Sequence, residues 1–498
     1  MGFLILSAVS IPQLVPSAIP IIGHVIGMMR EGSSYYGKIA RRYNLPIYAL
    51  GLPRGKVYVV TSPDLIALVD RRAKYISFAP YAIQFAKRIL IPSRPGLTNL
   101  ETEMFSSEHD RNPGLLPETL KAMHDAMSPG EHLLADTRRM VSTVTDLLPR
   151  ALERGGTSQD GVGLFGSFRH IVTEASTSAI YGAEMNPFND PAVYKGFWAI
   201  DDDFALLGLN FFRQFLAPRG NRGRNLFFQA MKRYYASGAH ESASHLIQAR
   251  YEVNRKHGVS LEDIEHFDLS ITYALLVHTV PGTCWAIYYV YRDASLLNDV
   301  RSAIEKLVGL QPKPYPGEHE HVQTVTVNIR KIFDEYPFLK SLVLEVLRLQ
   351  STNATGRVVI EDTMIDDKYL LKKDSIIFIP SGEVHHDQGV WGPKASVFEP
   401  DRFLPDKRVS PKVHASAYRT FGSGVNICPG RHFALNEIVT FLAIMVLQYD
   451  VVPVAGEWKM PKTKSHITTS ILTPIDDVKV RLVKRAERAG LTYVYTWE

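Results

Sequence analysis

Residues 269–290 contain no Lys, Arg, Asp or Glu, a charge-free run of 22 residues. A run of this length either crosses a bilayer, which takes about 20 apolar residues, or lies inside a large folded body. The centre of the run holds His278, Thr279, Pro281, Thr283 and Trp285. Polar groups in lipid are expensive, so the run reads as a long helix through the core of a large body. Pro281 in its interior removes one backbone donor and should disturb the local hydrogen bonding. Enclosing such a helix takes many others. The 498-residue chain is 45% hydrophobic and 21% charged, which excludes intrinsic disorder, collagen and coiled coil. Without a Gly/Ser-rich linker or internal repeat there is no place to divide it.

The net charge of +5 is spread along the chain, so nucleic acid is not an expected partner. Two cysteines, Cys284 and Cys428, exclude a disulfide framework and any multi-thiolate zinc or iron–sulfur centre. Arg30 is the first charged residue. The prolines at 12, 16 and 20 break the N-terminal apolar stretch and leave a helix candidate only over residues 1–11. Residues 1–29 therefore read as a short or trimmed membrane anchor with a proline hinge. A plain apolar arm is the alternative, and a signal peptide would need a basic start. Residues 30–498 read as one catalytic domain. The pattern predicts a helix over 34–43, strands over 46–52 and 56–61, and a helix from Ser62 to 72. It predicts a long, partly ordered loop over 79–116, mainly helix over 117–255, and strands near 357–365, 375–379 and 479–483. The fold class is mainly α with a smaller β region (α+β), its small sheet drawn from both ends of the chain.

Cys428 lies in the segment Phe421-Gly-Ser-Gly424-Val-Asn426-Ile-Cys428-Pro-Gly430-Arg-His-Phe-Ala434, which leads into an apolar helix. Glycines let a backbone approach a flat macrocycle. Free amides at the start of the helix favour a negative sulfur, and Phe421 can shield it. A lone cysteine in a glycine-rich turn is usually a small buried residue. Here Phe421, Gly424, Cys428, Gly430 and Ala434 stand at fixed spacing, and the segment resembles the haem-binding signature of the cytochrome P-450 superfamily. Residues 336–349 resemble its ExxR helix, with Glu345 and Arg348. Residues 398–403 resemble its PERF segment, with Arg402. Taken alone, Glu345 and Arg348 are an i,i+3 helix pair; the resemblance implies a buried network with Arg402 that locks the backbone leading to the cysteine loop. His385, His386, Asp387 and Trp391 resemble a further short helix with a structural role.

The resemblance implies a triangular helical body holding haem b between the long distal helix and the helix after the cysteine loop. Cys428 would be the axial thiolate and sole iron ligand. Expected partners are NADPH-cytochrome P-450 reductase as electron donor, cytochrome b5 as an optional one, a membrane surface and a lipophilic terpenoid, sterol or polyketide-like substrate. The protein would be a monomer on the cytosolic side of the endoplasmic reticulum membrane. Thr279 would help deliver protons to dioxygen. His278 stands where the family carries an acid; it either relays protons or is a neutral histidine bonded to a backbone carbonyl. Asn426 replaces a basic residue that holds a haem propionate, so Arg357 is the candidate for that task, and His124 stands in for a missing tryptophan. These departures are similar to the sterol-hydroxylase and prostacyclin-synthase branch. They leave open a redox-independent haem isomerase or dehydratase, and a non-enzymatic haem-binding protein. By resemblance, residues 81–97, 277–283, 354–355 and 468–469 wall the pocket, and Cys284 is core filler.

Overall fold

The computed structural model describes residues 9–498 apart from 18, 20–21, 33, 54, 108–109, 157–159, 210–211, 311–322, 407–414, 465–469 and 489. Most of the residues 1–11 read as an anchor helix, and the 468–469 wall, therefore lie outside the described residues. Residues 14–31 add a strand, Leu14–Val15, and a helix, Gly23–Glu31, with Val15 and Met28 buried against the body. Among the described residues no helix is long and apolar enough to cross a membrane.

The charge-free run forms the greater part of one helix, Leu261–Tyr291, here called the distal helix. Ser260 caps it: its Oγ accepts from the Asp263 amide at 3.1 Å, and Glu262 and Asp263 occupy its first turn. From Leu276 on, apolar and small side chains occupy every face apart from the partly accessible Val277 and His278, so the helix must be surrounded. It packs against the helices Leu164–Tyr181, Pro337–Gln350 and Arg431–Gln448. The interior is one continuous cluster built from these helices.

A six-stranded sheet lies to one side, assembled from both ends of the chain as the pattern requires. Its strands are β1 (Leu14–Val15), β2 (Ile47–Leu52), β3 (Gly55–Val60), β4 (Ile76–Ser77), β5 (Ala354–Val359) and β6 (Ile376–Pro380), in the order β1-β2-β3-β6-β5-β4. β2 and β3 form an antiparallel hairpin, β3 runs parallel to β6, and β6 pairs antiparallel with β5. The register sets Arg357 opposite Ile377 and Ile377 beside Tyr58. Helix Pro63–Arg71 follows β3 and carries Asp70 in its last turn.

One expectation is corrected. Residues 79–116 are largely helical: Ala79–Phe85, a π-helical turn Ala86–Leu90, Arg94–Glu101, and the start of Leu115–Met127. The pieces are too short for a period to register. What holds them is a distant partner, since Asp263 accepts from the Ser93 amide and hydroxyl, both at 2.7 Å. The same carboxylate accepts from Ser260 Oγ at 2.8 Å, tying the segment to the first turn of the distal helix. Asp263→Ala is expected to weaken this tie by about 1–3 kcal/mol. Amide hydrogen exchange should then speed up over residues 79–101 while the helix Arg431–Gln448 stays protected.

Candidate functional site

The backbone of the cysteine loop is set by two glycines in the left-handed region, Gly422 (φ 70°) and Gly424 (φ 60°). A Cβ at Gly422 would stand 2.8 Å from the Asn426 carbonyl oxygen, so this turn admits no larger residue. The loop closes when the Cys428 amide donates to the Phe421 carbonyl at 2.8 Å. The Arg431 guanidinium donates to the Cys428 carbonyl at 3.0 Å. Burial pushes the Cys428 thiol up, opposed by the Gly430 and Arg431 amides and the Arg431 charge, all of which favour the thiolate. Cys428 keeps part of its surface accessible although it lies deep in the protein.

Behind the loop, Glu345, Arg348 and Arg402 have side chains 0–1% exposed. Arg348 grips Glu345 with two parallel bonds, Nε to Oε2 at 2.7 Å and Nη2 to Oε1 at 2.8 Å. Arg402 Nε donates to Oε1 of the same carboxylate at 3.0 Å. The free ends of both guanidiniums take up carbonyls of an irregular stretch: Arg348 those of His385 and Ala395, Arg402 those of Trp391, Lys394 and Val397. The Trp391 ring covers Arg348 with its centroid 5.0 Å from the guanidinium carbon. His385 carries the connection onward, because its Nε2 accepts the Arg419 amide proton at 2.9 Å, two residues before Phe421. Burial and the neighbouring Arg348 hold His385 well below its usual pKa, so it is neutral.

On the other side, the Thr279 hydroxyl donates to the Leu275 carbonyl at 2.7 Å, and Thr283 to the Thr279 carbonyl at 2.9 Å. Both back-bond within their own helix. His278 Nδ1 has no hydrogen-bond partner, so the bond to a backbone carbonyl is not made there. Burial lowers the His278 pKa to about 4. The expected charge change near neutral pH is thereby displaced, since a buried imidazolium with no anion beside it is costly. His278 faces a cavity of about 340 Å³. Its walls are mostly apolar, with Tyr81, Leu90, Leu120, Phe267 and Ala274 among them.

The wall from residues 81–97 is present in Tyr81, Ala82, Phe85 and Leu90; of 277–283 only His278 reaches the cavity, and Ala354 and Thr355 do not line it. The face of Leu115–Met127 that carries Thr119, Leu120 and Met123 takes their place, with Arg250 and Asn254 from the helix His245–Lys256. Sequence reading missed these. His124 lies one residue beyond that lining face, half-buried and not lining the cavity. Arg357 is buried (1% exposed) and bonds Asp70 through Nη2 at 2.6 Å, while its Nε and Nη1 have no partner. Burial lowers its pKa. Asn426 is half-buried beside the loop.

A cysteine whose neighbouring amides favour the thiolate, buried guanidinium nitrogens without a partner, and a mostly apolar cavity beside the distal helix fit haem with a cysteine thiolate. The long helix, the braced cysteine loop and the cavity between helices define a haem-thiolate monooxygenase. The chain belongs to the cytochrome P450 family, which matches residues 12–482. It is 31% identical to cytochrome P450 monooxygenase nodJ of Hypoxylon pulicicidum, over 96% of this chain and 90% of that protein. It is 28% identical to a cytochrome P450 monooxygenase of Gibberella zeae, over 97% and 91%. A shorter match, 29% identical over 43% of this chain and 44% of the relative, is to the cholesterol 7-alpha-monooxygenase of Cricetulus griseus.

Two outcomes check this geometry. Glu345→Gln leaves two buried guanidiniums short of their anion. It should cost about 3–5 kcal/mol, read as a lower Tm and loss of folded holoprotein. The second concerns His278, whose folded pKa lies below the ordinary value of 6.5. The unfolded chain then binds the extra proton first, so the His278 contribution to stability falls as pH drops from about 6.5 towards 4. His278→Phe should lessen the slope in denaturant titrations run across this range, leaving the share of His385, His266 and His386, which burial also lowers. The acids Asp136 and Glu437, raised by burial to about 7 and about 8, titrate alike in both proteins.

Proposed function

We propose that Cys428 is the axial thiolate of haem b and that the enzyme oxidises a lipophilic small molecule, with electrons from a separate NADPH reductase. The observation that carries this is the Cys428 loop, turned by Gly422 and Gly424, closed by the Cys428 amide on the Phe421 carbonyl and braced by the buried Glu345–Arg348–Arg402 network. When bound, haem supplies activation of dioxygen and transfer of one oxygen atom to the substrate. The chain's own residues do the rest. The loop amides of Gly430 and Arg431 would favour the sulfur's charge, Phe421 would shield it, and Gly424, with no side chain, would let the loop approach the haem.

The cavity walls support a largely apolar substrate of terpenoid, sterol or polyketide-like character, such as the sterol-hydroxylase branch takes. Thr279 is assigned the hydroxyl that passes protons towards dioxygen, which requires it to turn from the Leu275 carbonyl. His278 is assigned a neutral hydrogen-bonding role at the cavity wall. The absence of an acid at 278 favours a second reading, rearrangement or dehydration of an oxygenated substrate without reductase. Residues 1–29 are assigned to a membrane approach on the endoplasmic reticulum and residues 30–498 to the catalytic unit.

A substrate-binding spectral screen tests the reading, with the reduced CO spectrum as control. Cys428→Ala should abolish the thiolate-type CO spectrum. Cys284→Ala should leave it intact, because Cys284 is a buried core thiol with its pKa pushed well up. Turnover without NADPH and reductase would select the second reading. A wild-type holoprotein with no thiolate-type spectrum would overturn the first.

A further inference from the structure

The cavity beside the distal helix has one polar end. Phe267 and His278 both line it. They stand eleven residues apart on that helix, about 16 Å at ~1.5 Å per residue. At the Phe267 end the wall comes from two facing helices, Leu115–Met127 and His245–Lys256. They run antiparallel: His257 Nε2 meets Glu118 Oε2 at 2.8 Å, and Arg250 Nη1 meets the Met123 sulfur at 3.6 Å. That register sets Thr119 opposite Asn254, and Thr119, Met123, Arg250 and Asn254 all line the cavity.

Hydrogen bonding at this end is incomplete. Arg250 and Asn254 are 4% and 2% exposed. A guanidinium carries five N–H donors. Here Nη2 reaches the Phe267 carbonyl at 3.4 Å and Asp268 Oδ1 at 3.3 Å, both long. Nε has no partner, and Nη1 has only the Met123 thioether, a weak acceptor. Asn254 Nδ2 donates to the Arg250 carbonyl at 2.7 Å, which fixes the orientation of the amide. Among the described residues, Asn254 Oδ1 and Thr119 Oγ1 bond no other group. A donor short of a good acceptor and an acceptor short of a donor thus lie one helical turn apart. A carbonyl would satisfy the donor alone, whereas a hydroxyl, which accepts and donates, satisfies both.

We propose that this end binds a neutral hydroxyl of the substrate, which accepts from Arg250 Nη1 in place of the Met123 sulfur and donates to Asn254 Oδ1. This rests on the haem reading above, which puts the reacting carbon at the Thr279 end. The substrate is then a long lipophile that already carries a hydroxyl at the end remote from the carbon to be oxidised. Asp268, which also takes the Tyr235 hydroxyl, anchors the guanidinium. Met123 gives way because its unbranched side chain repacks easily.

The test uses holoenzyme: wild type, Asn254→Leu and Met123→Leu. The probes are lauryl alcohol, its methyl ether and dodecane. Affinity is read by calorimetry, and the position of the hydroxyl by the ferric haem spectrum. Wild type should bind the alcohol about tenfold tighter than the ether, which accepts but cannot donate. The alcohol should shift the spectrum to high spin, because its hydrocarbon end lies at the haem. Asn254→Leu should close the alcohol–ether gap and bind dodecane no more weakly. Met123→Leu removes the competing sulfur, so it should tighten alcohol and ether relative to dodecane, a gain that damage to the fold does not give. If Asn254→Leu yields no holoprotein, Met123→Leu decides alone. Equal wild-type affinity for alcohol and ether, no binding of either, a low-spin shift from a hydroxyl on the iron, or unchanged ratios in Met123→Leu would overturn the proposal. Failure of the haem reading is separate: wild type would then lack the thiolate-type CO spectrum, while calorimetry still reads the alcohol–ether gap.

Discussion

The carboxylate of Glu345 is shared by two guanidiniums that water does not reach, and the cysteine loop depends on that sharing. Either arginine alone would be an uncompensated buried charge, and together they exceed the one carboxylate. Glu399, 2.8 Å from Arg402, supplies the second anion. Desolvating so many charges is costly, so the cluster contributes little net stability beyond what apolar packing would give. Its contribution is positional. The stretch between His385 and Val397 lacks a regular ladder, and its carbonyls are satisfied by Arg348 and Arg402. His385 passes that fixed position on through the Arg419 amide. The sulfur of Cys428 is thereby located relative to helix Pro337–Gln350 through side chains rather than through a sheet.

The distal helix is held by shape and by bonds spread along its length. Asp263 fixes its first turn to residues 93–96, and Asp268 takes Tyr235 and Arg250. In the second half Trp285 donates to the Leu472 carbonyl and Tyr291 to the Tyr449 carbonyl within an apolar surround. In between, Pro281 withholds the amide that Val277 would have used, and Thr279 and Thr283 turn their hydroxyls back onto the helix. This is the part of the helix where a hydroxyl can exchange its partner at low cost, because the local ladder is already incomplete.

The difference in organisation explains what could be read from the chain. Phe421, Gly424, Cys428 and Gly430 form one loop, and Glu345 and Arg348 face the same way on one helix, so local spacing carries their geometry. The hairpin 47–60 is equally local, and its alternating Val and Tyr residues marked it. The helices within 79–116 were not legible because Asp263, 170 residues away from Ser93, stabilises them. Asp70 and Arg419 are 349 residues apart, so nothing in either neighbourhood announces their bond. His278 was legible as a departure from the usual acid. Its lowered pKa was not, because that follows from an apolar surround assembled by several helices.

The cavity's polar wall bears on substrate choice. Arg250 lines the cavity, yet its charge is answered inside the protein: Nη2 meets Asp268 Oδ1 at 3.3 Å, and Tyr235 donates to Asp268 Oδ2 at 2.5 Å. A guanidinium already paired with a buried carboxylate does not call for an anionic substrate. His278 is neutral and also asks for no charge. The remaining wall is mostly hydrocarbon and aromatic, with Thr119, Asn254 and Ser270 as neutral polar members, so binding energy here scales mainly with apolar area removed from water, about 25 cal/mol per Å². Such a cavity sorts molecules by shape and size and uses at most a neutral hydrogen bond for orientation. The lipophilic substrate proposed above meets that demand.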